Sequence, residues 1–182
     1  MKAILVGIGL ASVLIAQGSV TEQPADPSLE ETFRFLQHAL PTNVNYIVYG
    51  HDNIVGTDTQ VKRNFELNVT NVDPSHCDIA VRYRFDNGKT GHAANKTNEI
   101  ELKEVEEVTT RPMQEVVQEV GDGQGHPEHR VTVDPPVFVV FLKSHEDLVL
   151  FHFDDGTISQ QVTKALQHAV DLCRGSAFGG MK

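Results

Sequence analysis

The chain predicts one mixed α+β domain: a short helix, a largely antiparallel sheet of about seven strands, and a long amphipathic C-terminal helix. Three observations carry this. The length, 182 residues, suits one domain with a core of its own. The apolar period changes from helical to two near Asn43, and it returns to helical near Thr157.

The elements follow in order. Residues 1–18 read as a signal peptide. Lys2 gives a positive start, Ala3 to Ala16 is nearly all apolar, and Ala16-Gln17-Gly18 is a small-residue cleavage pattern. The apolar run is shorter than the ~20 residues a membrane span requires. The expectation is export to a periplasmic or secreted location, with no membrane span once the signal is removed. Residues 19–27, with Pro24 and Pro27, form a flexible lead-in. The domain proper is expected over 28–175, followed by a flexible Gly-rich tail over 176–182.

Ser28-Leu29-Glu30-Glu31 is a capping box, and Leu29, Phe33, Leu36 and Leu40 repeat at helical spacing, so a helix over 29–40 ends at Pro41. Asn45 to Gly50 is a short apolar strand. Val61, Arg63, Phe65, Leu67 and Val69 alternate with polar residues, Arg63 being the one misfit on the apolar side. Cys77, Ile79, Val81, Tyr83 and Phe85 alternate likewise. Such alternation marks antiparallel strands with one face in the core and one in water. Residues 71–75 form the turn between the second and third strands, and a polar loop follows Asn87-Gly88.

Glu99 to Thr109 reads as a bulged strand rather than a helical turn. Met113 to Val120 is expected as a strand, and residues 121–129 as an exposed loop. Val131 to Leu142 and Asp147 to Phe153 form a hairpin around residues 143–146. In the last helix, Thr157 and Gln160 make a second capping box, with Asp154 and Asp155 favourably near the positive end. Ile158, Val162, Ala165, Leu166, Ala169, Leu172 and Cys173 form its apolar stripe, Lys164, His168 and Asp171 face water, and Gly175 is placed to cap the end.

This order of elements across residues 43–175 resembles a pleckstrin-homology-like fold, in which a bent seven-stranded sheet is closed at one end by a C-terminal helix. The stretch from Phe151-His152-Phe153-Asp154-Asp155 to Leu172-Cys173 is also similar to the tail of uncharacterised exported bacterial proteins. Neither resemblance implies an activity. The lipid-binding members of the first group use a basic pocket between early strands. Lys62 and Arg63 alone do not make one, so phosphoinositide binding is not carried over.

The composition narrows the partners. With 25 acidic and 15 basic residues the formal net charge is −10, which repels phosphate backbones and anionic surfaces, so nucleic acid is not expected as a partner. The nine histidines invite a metal. His126 and His129, with Asp122 and Glu128, are the closest candidate set, but they match no fixed ligand spacing, and a solvated loop is the preferred account of them. Asn68-Val69-Thr70 and Asn95-Lys96-Thr97 match the glycosylation acceptor pattern. There is no G-x-S-x-G, and Asp154-Asp155 is explained by helix capping.

Cys77 and Cys173 are the only cysteines. After export they would mature where disulfides persist, and both fall on faces that meet if the last helix covers the sheet. A Cys77–Cys173 disulfide and two buried free thiols are the alternatives. No catalytic residue and no cofactor is indicated. The expected function is therefore an exported, non-catalytic binding or structural module for a protein or a small molecule. The alternative is a metal-dependent hydrolase built on the histidines.

Overall fold

Capping and periodicity build the first helix as the sequence expects. In the computed structural model, which describes residues 26–52, 56–86, 93–123, 129–145 and 147–178, α1 spans Leu29–Ala39. The Ser28 hydroxyl accepts from the Glu31 amide, and the Glu31 carboxylate accepts from the Ser28 amide. This reciprocal pairing holds the Glu31 carboxyl below the usual carboxylate range. Phe33, Leu36 and Leu40 are fully buried, while Phe35, off the stripe, is exposed. The expected signal peptide, most of the expected lead-in and residues 179–182 lie outside the described residues.

The architecture is α+β with two antiparallel sheets. Strands β1 (Thr42–Asp52), β2 (Thr57–Asp73), β3 (Asp78–Asp86), β4 (Ala93–Glu101) and β6 (His129–Asp134) form a five-stranded sheet in the order β4-β3-β2-β1-β6. Strands β5 (Val105–Pro112), β7 (Phe138–Ser144) and β8 (Leu148–Phe153) form a three-stranded sheet in the order β5-β7-β8. Helix α2 (Met113–Gly123) follows β5, and α3 (Gly156–Phe178) ends the described chain. The described strands thus number eight, in two sheets, where about seven in one were expected.

Each departure has a local cause. The chain leaves the first sheet through a single 3-10 turn, Leu102–Glu104, in place of an uninterrupted bulged strand. That turn sinks Leu102 fully into the core and lets its amide donate to the Cys77 carbonyl at 2.9 Å. A register shift between Val105 and Glu107 follows at once. Met113 to Val120 is helical, not extended: Met113, Val116, Val117 and Val120 fall at helical spacing, which outweighs their β propensity. Arg111, at the end of β5, fastens that helix by a two-pronged pair with Glu119, at 2.8 and 2.6 Å, and holds the Glu119 carboxyl below its ordinary range. The expected long strand over residues 131–142 is cut at Pro135-Pro136, where the Asp134–Pro135 bond is cis. Its first half pairs with β1, and its second half makes the hairpin with β8.

The last helix starts two residues earlier than expected. Asp155, not Thr157, is the cap: its carboxylate accepts from the amides of Thr157 and Ile158 at 2.7 and 3.1 Å. Gly156 is required by close approach, because a Cβ there would lie 2.8 Å from the Phe138 ring. Gly175 does not terminate the helix, which continues to Phe178. His168 is half-buried rather than in water, its Nε2 2.8 Å from the Pro27 carbonyl that accepts its proton.

Two apolar clusters result. The larger joins α1 and α3 to one face of the small sheet and to β2 and β3, through residues such as Leu36, Leu67, Ile79, Phe151 and Leu166. The smaller joins β1, β6 and α2 to the other face of the small sheet through Val44, Tyr46, Met113, Val133 and Val139. The Cys77 and Cys173 sulfurs are bonded at 2.10 Å, with Cα atoms 5.9 Å apart. Cys77 is not on the strand itself. It closes the turn over residues 74–77 in the left-handed region, φ 65°, and β3 starts one residue later. No described helix is long and apolar enough to cross a membrane.

Candidate binding cavity

Beside the smaller cluster the molecule leaves a cavity of about 440 Å³. Both sheets and helix α2 converge on it, and the antiparallel register explains which side chains of the larger sheet do so. Tyr46 on β1 lies opposite Arg63 on β2, Phe65 lies opposite Phe85 on β3, and Tyr83 lies opposite Lys96 on β4. These residues line one side of the cavity, with Val48 and Ala94. Val139 on β7 and Leu148, Leu150 and His152 on β8 line another, and Met113, Val116 and Val117 of α2 complete it. The floor is buried, at Phe65, Val139 and His152. Val48, Val116, Val117 and Leu150 are half-buried, and Leu148 is 58% exposed.

Strand β8 explains how a histidine comes to the floor. Its two faces are both used: Val149, Phe151 and Phe153 enter the larger cluster, and Leu148, Leu150 and His152 turn to the cavity. His152 is stacked on the Phe65 ring at 4.1 Å between centroids and meets the edge of Phe85 at 6.1 Å. Its Nδ1 is 3.4 Å from the Tyr46 hydroxyl. Burial pushes the imidazole down to about 4, so it is neutral near pH 7. Burial likewise pushes the Tyr46 phenol up to about 12, against a smaller opposing effect of the Arg63 charge. Which of the two groups donates depends on the imidazole tautomer.

Of the two cations that line the cavity, Arg63 and Lys96, Arg63 is the more buried. Its guanidinium carbon lies 5.8 Å from the centre of the Phe85 ring. One terminal nitrogen, Nη1, is buried and has no hydrogen-bond partner. The misfit in the alternation of β2 is therefore a cation facing an apolar cavity. His152 could not have been singled out by periodicity, because β8 is apolar on both faces and hides which face is unfilled.

The proposed metal set is not brought into view. His126 and Glu128 lie outside the described residues, as do the side chains of Asp122 and His129. The backbone places Asp122 in the last turn of α2 and His129 at the start of β6, opposite Asp52. The described histidines are spread over the fold: His51 pairs with Asp58 at 2.6 Å, His76 with Asp73 at 2.8 Å, and His145 with Glu106. Among the described residues, no three of His, Cys, Asp or Glu are grouped so as to hold a metal ion. A second cavity, of about 410 Å³, is lined by Glu99, Glu101, Glu104, His145 and Asp147, and its acidic rim resembles the rest of the surface in charge.

Asp73 shows how a carboxylate is used up by local structure. It accepts from the Ser75 hydroxyl and from His76, which holds it down at about 2, and its charge raises the His76 imidazole in return. The pair organises the turn that delivers Cys77 to its partner. In comparisons with known proteins, the chain matches no family model, no curated protein and no solved structure.

Proposed function

We propose that this protein is an exported, non-catalytic binding module whose cavity takes a small, mainly apolar ligand. The carrying observation is the cavity itself: about 440 Å³, walled by aliphatic and aromatic side chains, with a few convergent polar groups at Arg63, Tyr46 and His152. That size and that balance are typical of small-molecule sites, which run to about 300–1,000 Å³. A protein-docking face has less support. Among the described residues, the exposed large apolar ones, Phe35, Tyr49, Val120 and Leu148, are single residues on four different elements.

Export is part of the same reading. Lys2, the apolar run to Ala16 and Ala16-Gln17-Gly18 support it, and so does a disulfide, which persists in oxidising compartments. The pleckstrin-homology-like order of elements adds no headgroup specificity. Two tests apply. Expression with export and mass spectrometry of the product should give a chain beginning at Ser19; an accumulated exported form beginning at Met1 would contradict processing. Titration of the folded protein with the uncharged dye N-phenyl-1-naphthylamine should give saturable fluorescence at one site per chain. Val117→Trp, which puts a large ring where a half-buried valine lines the cavity, should weaken it at least about tenfold by overfilling. Dye binding that is unsaturable, or equal in the variant, would oppose the cavity reading.

A further inference from the structure

We propose that the occupant is a single-chain amphiphile ending in a carboxylate, held at that end by Arg63, with its alkyl chain along the aliphatic wall. This rests on the reading of the cavity as a small-ligand site and adds the ligand's chemical class. Three observations carry it. The first is charge. The chain has 25 acidic against 15 basic residues, yet the cavity lining contains Arg63 and Lys96 and, among the described residues, no carboxylate. A lining that runs against the sign of the whole molecule selects an anion locally while its acidic surroundings disfavour anionic surfaces.

The second observation is the orphaned donor. Arg63 Nη1 exposes less than 1 Å² and has no acceptor. A buried N–H of a charged group left without a partner is costly, and a carboxylate oxygen is the acceptor whose geometry best fits a guanidinium fork. The Phe85 ring flanks that guanidinium. The third observation is the separation of polarity within the cavity. Tyr46 sits opposite Arg63 across β1 and β2, so these two polar groups lie together, whereas Val116 and Val117 of α2 and Leu148 and Leu150 of β8 supply aliphatic lining. A neutral apolar ligand would leave the Arg63 guanidinium without a counter-charge, and a compact anion such as phosphate would leave the aliphatic side unfilled.

The experiment is displacement of bound N-phenyl-1-naphthylamine at pH 7 by dodecanoic acid, dodecanol and dodecylamine, all below their micellar concentrations. The acid should displace the dye at roughly tenfold lower concentration than the alcohol, and the amine should be weakest, since a charge-assisted hydrogen bond of this kind corresponds to about that factor. Arg63→Met should abolish the preference for the acid, with circular dichroism and the intact disulfide reporting its fold. Arg63→Lys, which keeps the charge but loses the fork, should retain part of the preference and serves if the methionine variant does not fold. Lys62→Met, exposed on the opposite face of β2, should leave all three competitors unchanged. Equal displacement by acid and alcohol overturns the carboxylate assignment, and an acid preference that survives Arg63→Met overturns Arg63 as the group that holds it; both leave a ligand-binding cavity. Failure of the dye to bind the wild type overturns both.

Discussion

His152 and Arg63 are polar residues placed where strand geometry expects apolar ones, and each leaves a measurable trace. His152 is buried, and its imidazole is held at about 4 by that burial, while in the unfolded chain it titrates near 6.5. Between these values the unfolded chain binds a proton that the folded chain does not. Stability therefore rises with pH across that window and is lost as pH falls from about 6.5 toward 4. The expected difference is roughly 3 kcal/mol across the window. His152→Gln removes the titrating group, so the wild type minus variant difference in denaturant midpoints should change with pH over that range. A difference that stays flat from pH 7 to pH 4 would mean that the imidazole is not buried as described. Arg63 was legible in the sequence as a break in alternation. His152 was not, since its neighbours on β8 are apolar on both faces and the period-2 signal vanishes there.

At the scale of elements, the sequence is most informative where one face is buried and one is wet. The capping box of α1, the alternation in β2 and β3 and the stripe of α3 could all be read directly. The boundary from β4 to β5 and the whole of α2 could not. There the chain changes sheets, and short valine-containing runs such as Val116-Val117 satisfy helical and extended templates alike. Helix α2 matters most for function, because it supplies a wall of the cavity that a strand in its place would not. Helix α3 matters most for stability. Leu166 is fully buried in the larger cluster, and Leu166→Ala should destabilise the domain by roughly 2–5 kcal/mol in a denaturant titration. A loss below about 1 kcal/mol would contradict its packing. Gly156→Ala tests the start of the same helix. Its new methyl would meet the Phe138 ring at 2.8 Å, so a loss of about 1–3 kcal/mol is expected from the overpacking, and an unchanged midpoint would show that the ring yields freely.

Over the whole molecule, the disulfide and the cavity divide the work. The bond joins the turn before β3 to the last helix across 96 residues of sequence, and it closes a loop that contains the whole three-stranded sheet and β3, β4 and β6 of the other. Chain-entropy reasoning credits such a loop with about 4–5 kcal/mol, often less in practice. Replacing both cysteines by serine should lower the unfolding free energy by roughly 2–5 kcal/mol; an unchanged value would show that the larger cluster alone fixes the helix. The pairing was foreseeable as one of two outcomes, because the chain has two cysteines and both were placed on the core side. The cavity was not foreseeable, because it depends on how two sheets and a misassigned helix meet. The central claim is that this cavity, and no other part of the fold, takes an apolar ligand. Its most direct test is a methyl-labelled carbon–proton correlation spectrum recorded during titration with dodecanoate. The resonances of Val48, Val116, Val117, Val139, Leu148 and Leu150 should shift together and saturate, while those of Val162 and Leu166, in the larger cluster, stay in place. Shifts confined to surface methyls such as Val120, or spread evenly over both clusters, would contradict it.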